Sequence, residues 1–249
     1  MAYTNSPLLS YTKLSPNHSG KRTHAIDRIT PHCVVVQCDV GALGELFSKA
    51  SRQASSNYGI GADGQIGIFV EECNRSWCSS NEANDQRAVT IECASDATEP
   101  YAMRDAVYRS LIYLCADICR RNGKTKLLWF GDREKTLSYT PKPDEMVLTV
   151  HRWFANKSCP GDWLYSRLGD LAEKVTELLA DTPLDNSAAD WAKDAVNWAL
   201  RNGILKGDER GDLMLHSPVN REQLCVMLKR YHDAKSHCRY RQDTAFFHD

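Results

Sequence analysis

The chain has 249 residues, 42% hydrophobic and 25% charged, with a formal net charge of −1. That length allows one large or two modest domains, each able to bury a core, and the near-neutral balance supplies no global basic field for nucleic acid. No run approaches the ~18 apolar residues of a membrane span, and the N-terminus MAYTNSPLLSYTKLSPNHSGKR lacks the basic start and continuous apolar core of a signal peptide.

Residues 1–23 are polar and carry Pro7, Pro16 and Gly20, which predicts an extended lead-in packed over the domain. Ile26 to Val36 is β-rich and is expected to be a central strand. Gly41 to Gln53 predicts a helix with Leu43, Leu46 and Phe47 on one side. Ala62-Asp63-Gly64 is a turn signal between two short strands, a hairpin. Asn81 to Arg87 is a polar loop. Ala88 to Cys93 is a buried-strand pattern broken by Glu92, an acid that is costly in such a strand without a partner.

Tyr101 to Asn122 predicts a long amphipathic helix, with Val107, Leu111, Leu114, Cys115 and Ile118 at helical spacing and Asn122-Gly123 as its stop. Leu127 to Phe130 is a short strand, Gly131 to Met146 a loop, and Leu164 to Leu179 a closing helix. Alternating strands and helices indicate an α/β fold, a mixed central sheet with helices on both sides. The ten cysteines are scattered and include no CxxC pair, so neither a disulfide framework nor a zinc finger is expected. Most read as reduced, small core residues.

The segment Val150 to Tyr165, VHRWFANKSCPGDWLY, carries the chemistry. Neutral imidazole and thiolate are good zinc ligands, and the loop between His151 and Cys159 is long enough to bring both to one metal. Pro160-Gly161 forces a turn directly after the thiol. A catalytic site needs a third ligand and an open position for water. His32, at the end of the first strong strand, is the choice for that ligand; His24 is its rival, although it lies before the strand.

The tail is a second unit, 181–249, after a first unit of 1–180. Ala188 to Arg201 predicts a helix with Trp191, Ala195, Trp198 and Ala199 inward, stopped by Asn202-Gly203. Gly207 to Gly211 is a turn-rich loop, and Ser217-Pro218 opens a second helix with Leu224, Met227 and Leu228 apolar. Residues 232–249 read as a loosely ordered polar end. Asp190-Trp191-Ala192, Asn202-Gly203-Ile204, Gly207-Asp208 and Val219-Asn220-Arg221-Glu222 together resemble a single S-layer homology repeat, with Asn220-Arg221-Glu222-Gln223 where that family usually has T-R-A-E. Such repeats usually bind cell-wall polymers in sets of three, so the resemblance leaves oligomerisation or packing on the first unit open.

The HR…K.CPGDWLY segment resembles the C-terminal zinc motif of the zinc-dependent N-acetylmuramoyl-L-alanine amidases, a family that includes phage endolysins and peptidoglycan recognition proteins. The resemblance spans residues 20–180. Tyr58, Ile60, Asp63, Gly64 and Ile66 match the family's hairpin pattern, and Trp77 stands where a tryptophan–histidine pair lines the cleft. Cys78 replaces that histidine and is left unassigned, a buried thiol being its simpler reading. The resemblance implies Zn2+ held by His32, His151 and Cys159, with Glu92 as general base and Lys157 as stabiliser of the oxyanion. Tyr58, Trp77 and Asn84 are the candidate substrate contacts; relatives hold their catalytic tyrosine about two positions earlier, where this chain has Ser56.

The implied activity is hydrolysis of the amide between N-acetylmuramic acid and L-alanine in bacterial peptidoglycan. The tail would bind a secondary cell-wall polymer. Absence of a signal peptide fits an endolysin kept in the host cytoplasm until lysis. A bacterial autolysin and a non-catalytic peptidoglycan-binding protein are the alternatives; family members that only bind often lack the zinc cysteine, which is present here.

Overall fold

The computed structural model describes residues 5–180, 186–207, 213, 215, 219 and 221–243. It divides into two compact units, Met1–Ala180 and Asp181–Asp249. The first is a mixed α/β fold. Its strands are β1 (Tyr11–Thr12), β2 (His18–Lys21), β3 (Arg28–Cys33), β4 (Tyr58–Ile60), β5 (Ile66–Ile68), β6 (Asn74–Ser76), β7 (Ala88–Cys93), β8 (Lys126–Leu128) and β9 (Glu145–Leu148). Seven of them form one sheet in the order β1-β5-β4-β7-β3-β9-β8, and β2 pairs with β6 in a small second sheet. From β4 to β8 the strands run parallel; β5 turns back against β4 as the expected hairpin.

The centre of the sheet explains Glu92. β3 reads Arg-Ile-Thr-Pro-His-Cys and β7 reads Ala-Val-Thr-Ile-Glu-Cys, paired in register from Arg28↔Ala88 to Cys33↔Cys93. Side chains alternate between faces with period two. Ile29, Val89, Ile91 and Cys93 join a core with Leu111, Leu114, Cys115 and Ile118 of α3 (Asp105–Arg121) and with Leu171 and Val175 of α6 (Leu168–Ala180). Each large aliphatic side chain so covered contributes about 1.5–3 kcal/mol. The other face carries Arg28, Thr30, His32, Thr90 and Glu92. There Thr30 and Thr149 share a hydrogen bond of 2.7 Å, Asn84 donates to Thr30 (3.0 Å), and Thr90 meets the Ser76 hydroxyl at 2.7 Å. Glu92 thus does not interrupt an apolar strand; it belongs to that strand's hydrogen-bonded face.

That face is flanked by α1 (Val40–Phe47), whose N-cap Asp39 accepts from the Ala42 N–H at 2.7 Å, and by α2 (Glu82–Arg87), capped by Asn81. Several expectations are corrected. The lead-in supplies β1, an edge strand parallel to β5. The 101–122 helix starts at Asp105, because Tyr101 has φ +56, outside the helical region. The loop 131–146 contains α4 (Arg133–Ser138), capped by Asp132, whose carboxylate accepts from the Lys135 N–H at 2.6 Å; it buries only Thr136, so no apolar stripe announces it. The closing helix is two, α5 (Gly161–Tyr165) and α6. Gly161, at φ +80, leaves no room for a Cβ, which would lie 2.9 Å from the Pro100 carbonyl.

In the second unit, a 3-10 turn at Asp190–Ala192 leads into α7 (Lys193–Arg201), which Asn202 and Gly203 (φ +65) end. The inward placement of its aromatics is overturned: Trp191 is 90% exposed and Trp198 47%. Ala195 is exposed as well, and among the described residues of this unit only Ile204 is a buried hydrophobic. α8 (Arg221–Asp243) leaves Leu224 and Leu228 exposed and continues as helix well into the stretch expected to be loosely ordered. Asp208, Ser217, Pro218, Asn220 and residues 244–249 lie outside the described residues. No helix among the described residues is long and apolar enough to cross a membrane.

Candidate active site

The candidate ligands and base come from the carboxyl ends of two neighbouring parallel strands, β3 and β7, and from the segment that follows a third, β9. His32 is the penultimate residue of β3 and faces Glu92 of β7 in register. β9, on the other side of β3, ends at Leu148, and His151 opens the 3-10 turn that follows. Ligand sites in open parallel sheets form at these carboxyl ends. The segment after His151 folds back on itself. The Ala155 N–H donates to the His151 carbonyl (3.2 Å), the Arg152 N–H to the Cys159 carbonyl (3.1 Å), and the Arg152 guanidinium to the Ser158 carbonyl and Asp162. These bonds hold Cys159 beside the histidines.

One donor atom from each of His32, His151 and Cys159 lies within 4.8 Å of the others. Cys159 Sγ is 3.3 Å from His32 Nδ1, and the two imidazoles meet edge to face with centroids 5.1 Å apart. Zinc with S and N bonds of about 2.3 and 2.0 Å in tetrahedral geometry needs donors roughly 3.5 Å apart. His32 is buried, and its Nε2 has no hydrogen-bond partner among the described residues. Burial, then His151, holds the His32 imidazole well below its ordinary pKa, and burial, then Lys157, lowers that of His151. Both rings are therefore neutral near pH 7, the form that ligates. The Cys33 thiol, then burial, then Glu92, push the Cys159 thiol well up. A cation is the partner that favours the thiolate there. The donor set fits zinc with one position left open.

Glu92 is partly buried, yet its Oε2 is shielded and has no hydrogen-bond partner among the described residues, while Cys78 Sγ lies 3.8 Å from Oε1. Burial pushes the Glu92 carboxyl up to about 7, and Cys78 and Arg52 oppose the shift. A carboxyl poised near neutrality is suited to proton transfer. His32, Cys78 and Glu92 form a second group of ligand-type atoms within 4.8 Å, sharing His32 with the first. His24 is exposed and belongs to neither group.

The site opens into a cavity of about 490 Å³ whose lining includes Arg52, Arg75, Trp77, Glu92, His151 and Lys157. Trp77 is half-buried there, its indole N–H donating to Ser19 at 2.7 Å. Lys157 is exposed on the wall.

Two candidate substrate contacts are corrected. Tyr58 is fully buried in the core; its hydroxyl donates to Glu72 (2.5 Å) and accepts from the Ser6 N–H (2.9 Å). Its side-chain direction follows from its register opposite Ile91, one residue out of step with Glu92. Asn84 is fully buried beneath the site, bonded to Thr30, Thr149, Ser79 and Arg28. Arg52, Arg75 and Ser80 of the lining escaped the sequence reading. The only signal was position, two of them flanking Trp77 within three residues.

A family model described as N-acetylmuramoyl-L-alanine amidase matches residues 22–162. Among solved structures, a selenomethionine derivative of AmpD has a TM-score of 0.48 at 16% identity, over 69% of this chain and 99% of its own. The Staphylococcus aureus hydrolase AmiA, solved with its ligand, gives 0.47 at 12%, over 70% and 84%. A mutant endolysin from Bacillus subtilis gives 0.45 at 13%, over 66% and 97%. No curated protein matches the chain in sequence.

Proposed function

We propose, from the premise that this chain belongs to the N-acetylmuramoyl-L-alanine amidase family, that it is a zinc-dependent hydrolase of the amide joining the lactyl group of N-acetylmuramic acid to L-alanine in peptidoglycan, acting as a phage endolysin. One observation carries the reading: donor atoms of His32, His151 and Cys159 converge, His32 pairs in register with Glu92, and both His151 and Glu92 line a cavity.

His32, His151 and Cys159 would hold the metal, which supplies Lewis acidity toward the amide carbonyl and toward water. Glu92 takes the proton of the attacking water on Oε2, its unpartnered oxygen, and passes it to the leaving nitrogen of L-alanine. Its raised pKa suits it to both transfers. Lys157 stands on the cavity wall with Glu92 and His151, where its ammonium would stabilise negative charge on the carbonyl oxygen. Trp77 offers a flat apolar surface for the substrate to lie on. The C-terminal unit is assigned to a secondary wall polymer as an S-layer-homology-like module; its exposed Trp191 and Leu228 support a binding role.

The test is mass spectrometry of purified peptidoglycan digested with the protein, with and without a zinc chelator. Free stem peptides beginning at L-alanine, lost with chelator, are expected. Cleavage between sugars or inside the peptide refutes the assigned bond. Wall binding with bound zinc and no products would favour a binding-only protein.

A further inference from the structure

Between the small sheet and α2, the three residues Cys78, Ser79 and Ser80 touch both halves of the site. Ser80 Oγ lies 3.1 Å from His151 Nε2. Cys78 Sγ lies 3.8 Å from Glu92 Oε1. The segment hangs from one carboxylate. Asp85, buried in α2, accepts from the Cys78 N–H (3.1 Å), from the Ser79 N–H (3.2 Å) and from the Ser79 hydroxyl (2.6 Å), while Arg22 donates to its carbonyl. Ser80 itself has φ +58, a left-handed conformation that glycine would adopt without cost. Non-glycine residues are held in that region where the surroundings impose it, and such residues cluster at functional sites. The serine there keeps a hydroxyl on His151.

We propose that Cys78–Ser80 is a positioning strap, in which Ser80 fixes the ring of the metal ligand His151 and Cys78 fixes the carboxylate of the base Glu92, both anchored by Asp85. The inference rests on the zinc amidase reading. A neutral imidazole has one N–H and one lone-pair nitrogen. With Nε2–H donated to Ser80, Nδ1 is the nitrogen left to ligate. That matches His32, whose Nδ1 is the nitrogen near Cys159. Outer partners of this kind orient ligating histidines and set their tautomer. Cys78 occupies one oxygen of Glu92 and leaves the other free for the proton. The strap therefore ties ligand and base to one support that neither loop end supplies alone.

The test uses the full-length protein and two separate readouts: zinc dissociation constant by competition with a chromophoric chelator, and kcat and KM on soluble muropeptide. Ser80→Gly removes the hydroxyl and relieves the backbone, so the fold is retained; zinc Kd is expected to rise about tenfold. Cys78→Ala is expected to leave zinc Kd and KM unchanged and lower kcat about tenfold, with Cys78→Ser, which keeps a donor, recovering most of the loss. Wild-type zinc affinity in Ser80→Gly, wild-type kcat in Cys78→Ala, or equal defects in the Ala and Ser variants overturns the strap. Loss of zinc from Cys78→Ala also overturns it and makes Cys78 a ligand. If the wild-type protein releases no stem peptide, the amidase reading fails, and the zinc affinity of Ser80→Gly still decides the Ser80 contact.

Discussion

Replacing Glu92 by glutamine in the metal-free protein isolates the cost of placing a carboxylate in this site. Burial raises the Glu92 pKa from 4.5 to about 7. The folded state thus binds the proton more tightly than the unfolded chain. Below pH 4.5 both states are protonated and nothing is lost. As pH rises from 4.5 through 7 the unfolded chain ionises first, and stability falls. At about 1.4 kcal/mol per pKa unit, the loss above pH 7 is at most about 3 kcal/mol. Glutamine does not titrate, so its stability lacks this decline. Urea unfolding of both proteins in chelator, from pH 4 to 8.5, reads the difference directly. His32 and His151 titrate in both chains, so subtracting the curves leaves Glu92. The gap should open by roughly 3 kcal/mol in favour of the glutamine variant toward alkaline pH. Curves that stay parallel across that range would refute the argument that burial of Glu92 outweighs the opposing charge of Arg52.

Cys159→Ser should lose zinc and hydrolysis together while keeping its circular dichroism and melting temperature; normal turnover would remove the site. Lys157→Ala is expected to lower kcat about 10²-fold with zinc content intact, read by single-turnover kinetics, and an unchanged kcat would make Lys157 a surface lysine. Tyr58→Phe leaves the buried Glu72 short of a donor and should destabilise by about 1–3 kcal/mol with kcat/KM unchanged at 20 °C; a kinetic defect without a stability loss would return Tyr58 to the cleft. Removal of residues 182–249 should weaken wall pelleting and spare hydrolysis of soluble muropeptide, and full retention of wall binding would make the tail structural.

The sequence was most informative where one chemical demand dominates. His151 and Cys159 were legible because imidazole and thiolate, nine residues from start to finish with Pro-Gly behind them, have few other uses together. β7 was legible to its ends because Ala88–Cys93 is a short, mostly apolar and β-branched run, buried at every position except Glu92, which is partly buried. Register was not legible: which residue of β3 faces Glu92 depends on long-range pairing, and that pairing sends Tyr58 into the core and Asn84 under the ligands. Local capping was hidden too. Asp132 starts α4 without an apolar stripe to mark it, and Tyr101, a residue with no special preference for positive φ, delays α3. In the second unit, helical spacing predicted an inner face for Trp191 and Trp198, but Trp191 stays almost fully exposed and Trp198, which meets the Tyr231 ring edge to face, is only half covered.

The unbroken pairing of β3 with β7, six residues long, has a consequence for how such a site could vary. Adjacent strands sit about 4.8 Å apart, so the separation between His32 and Glu92 is a lattice constant of the backbone. Loop exchange around Lys157 or Ser80 could change reach, substrate fit or metal affinity, but it would leave that constant untouched. A slip of one residue would not adjust the spacing gradually; it would turn the whole strand over and present Pro31 or Cys33 instead. Divergence among chains built this way is therefore expected to be continuous at the rim and all-or-none at the two residues on the strands.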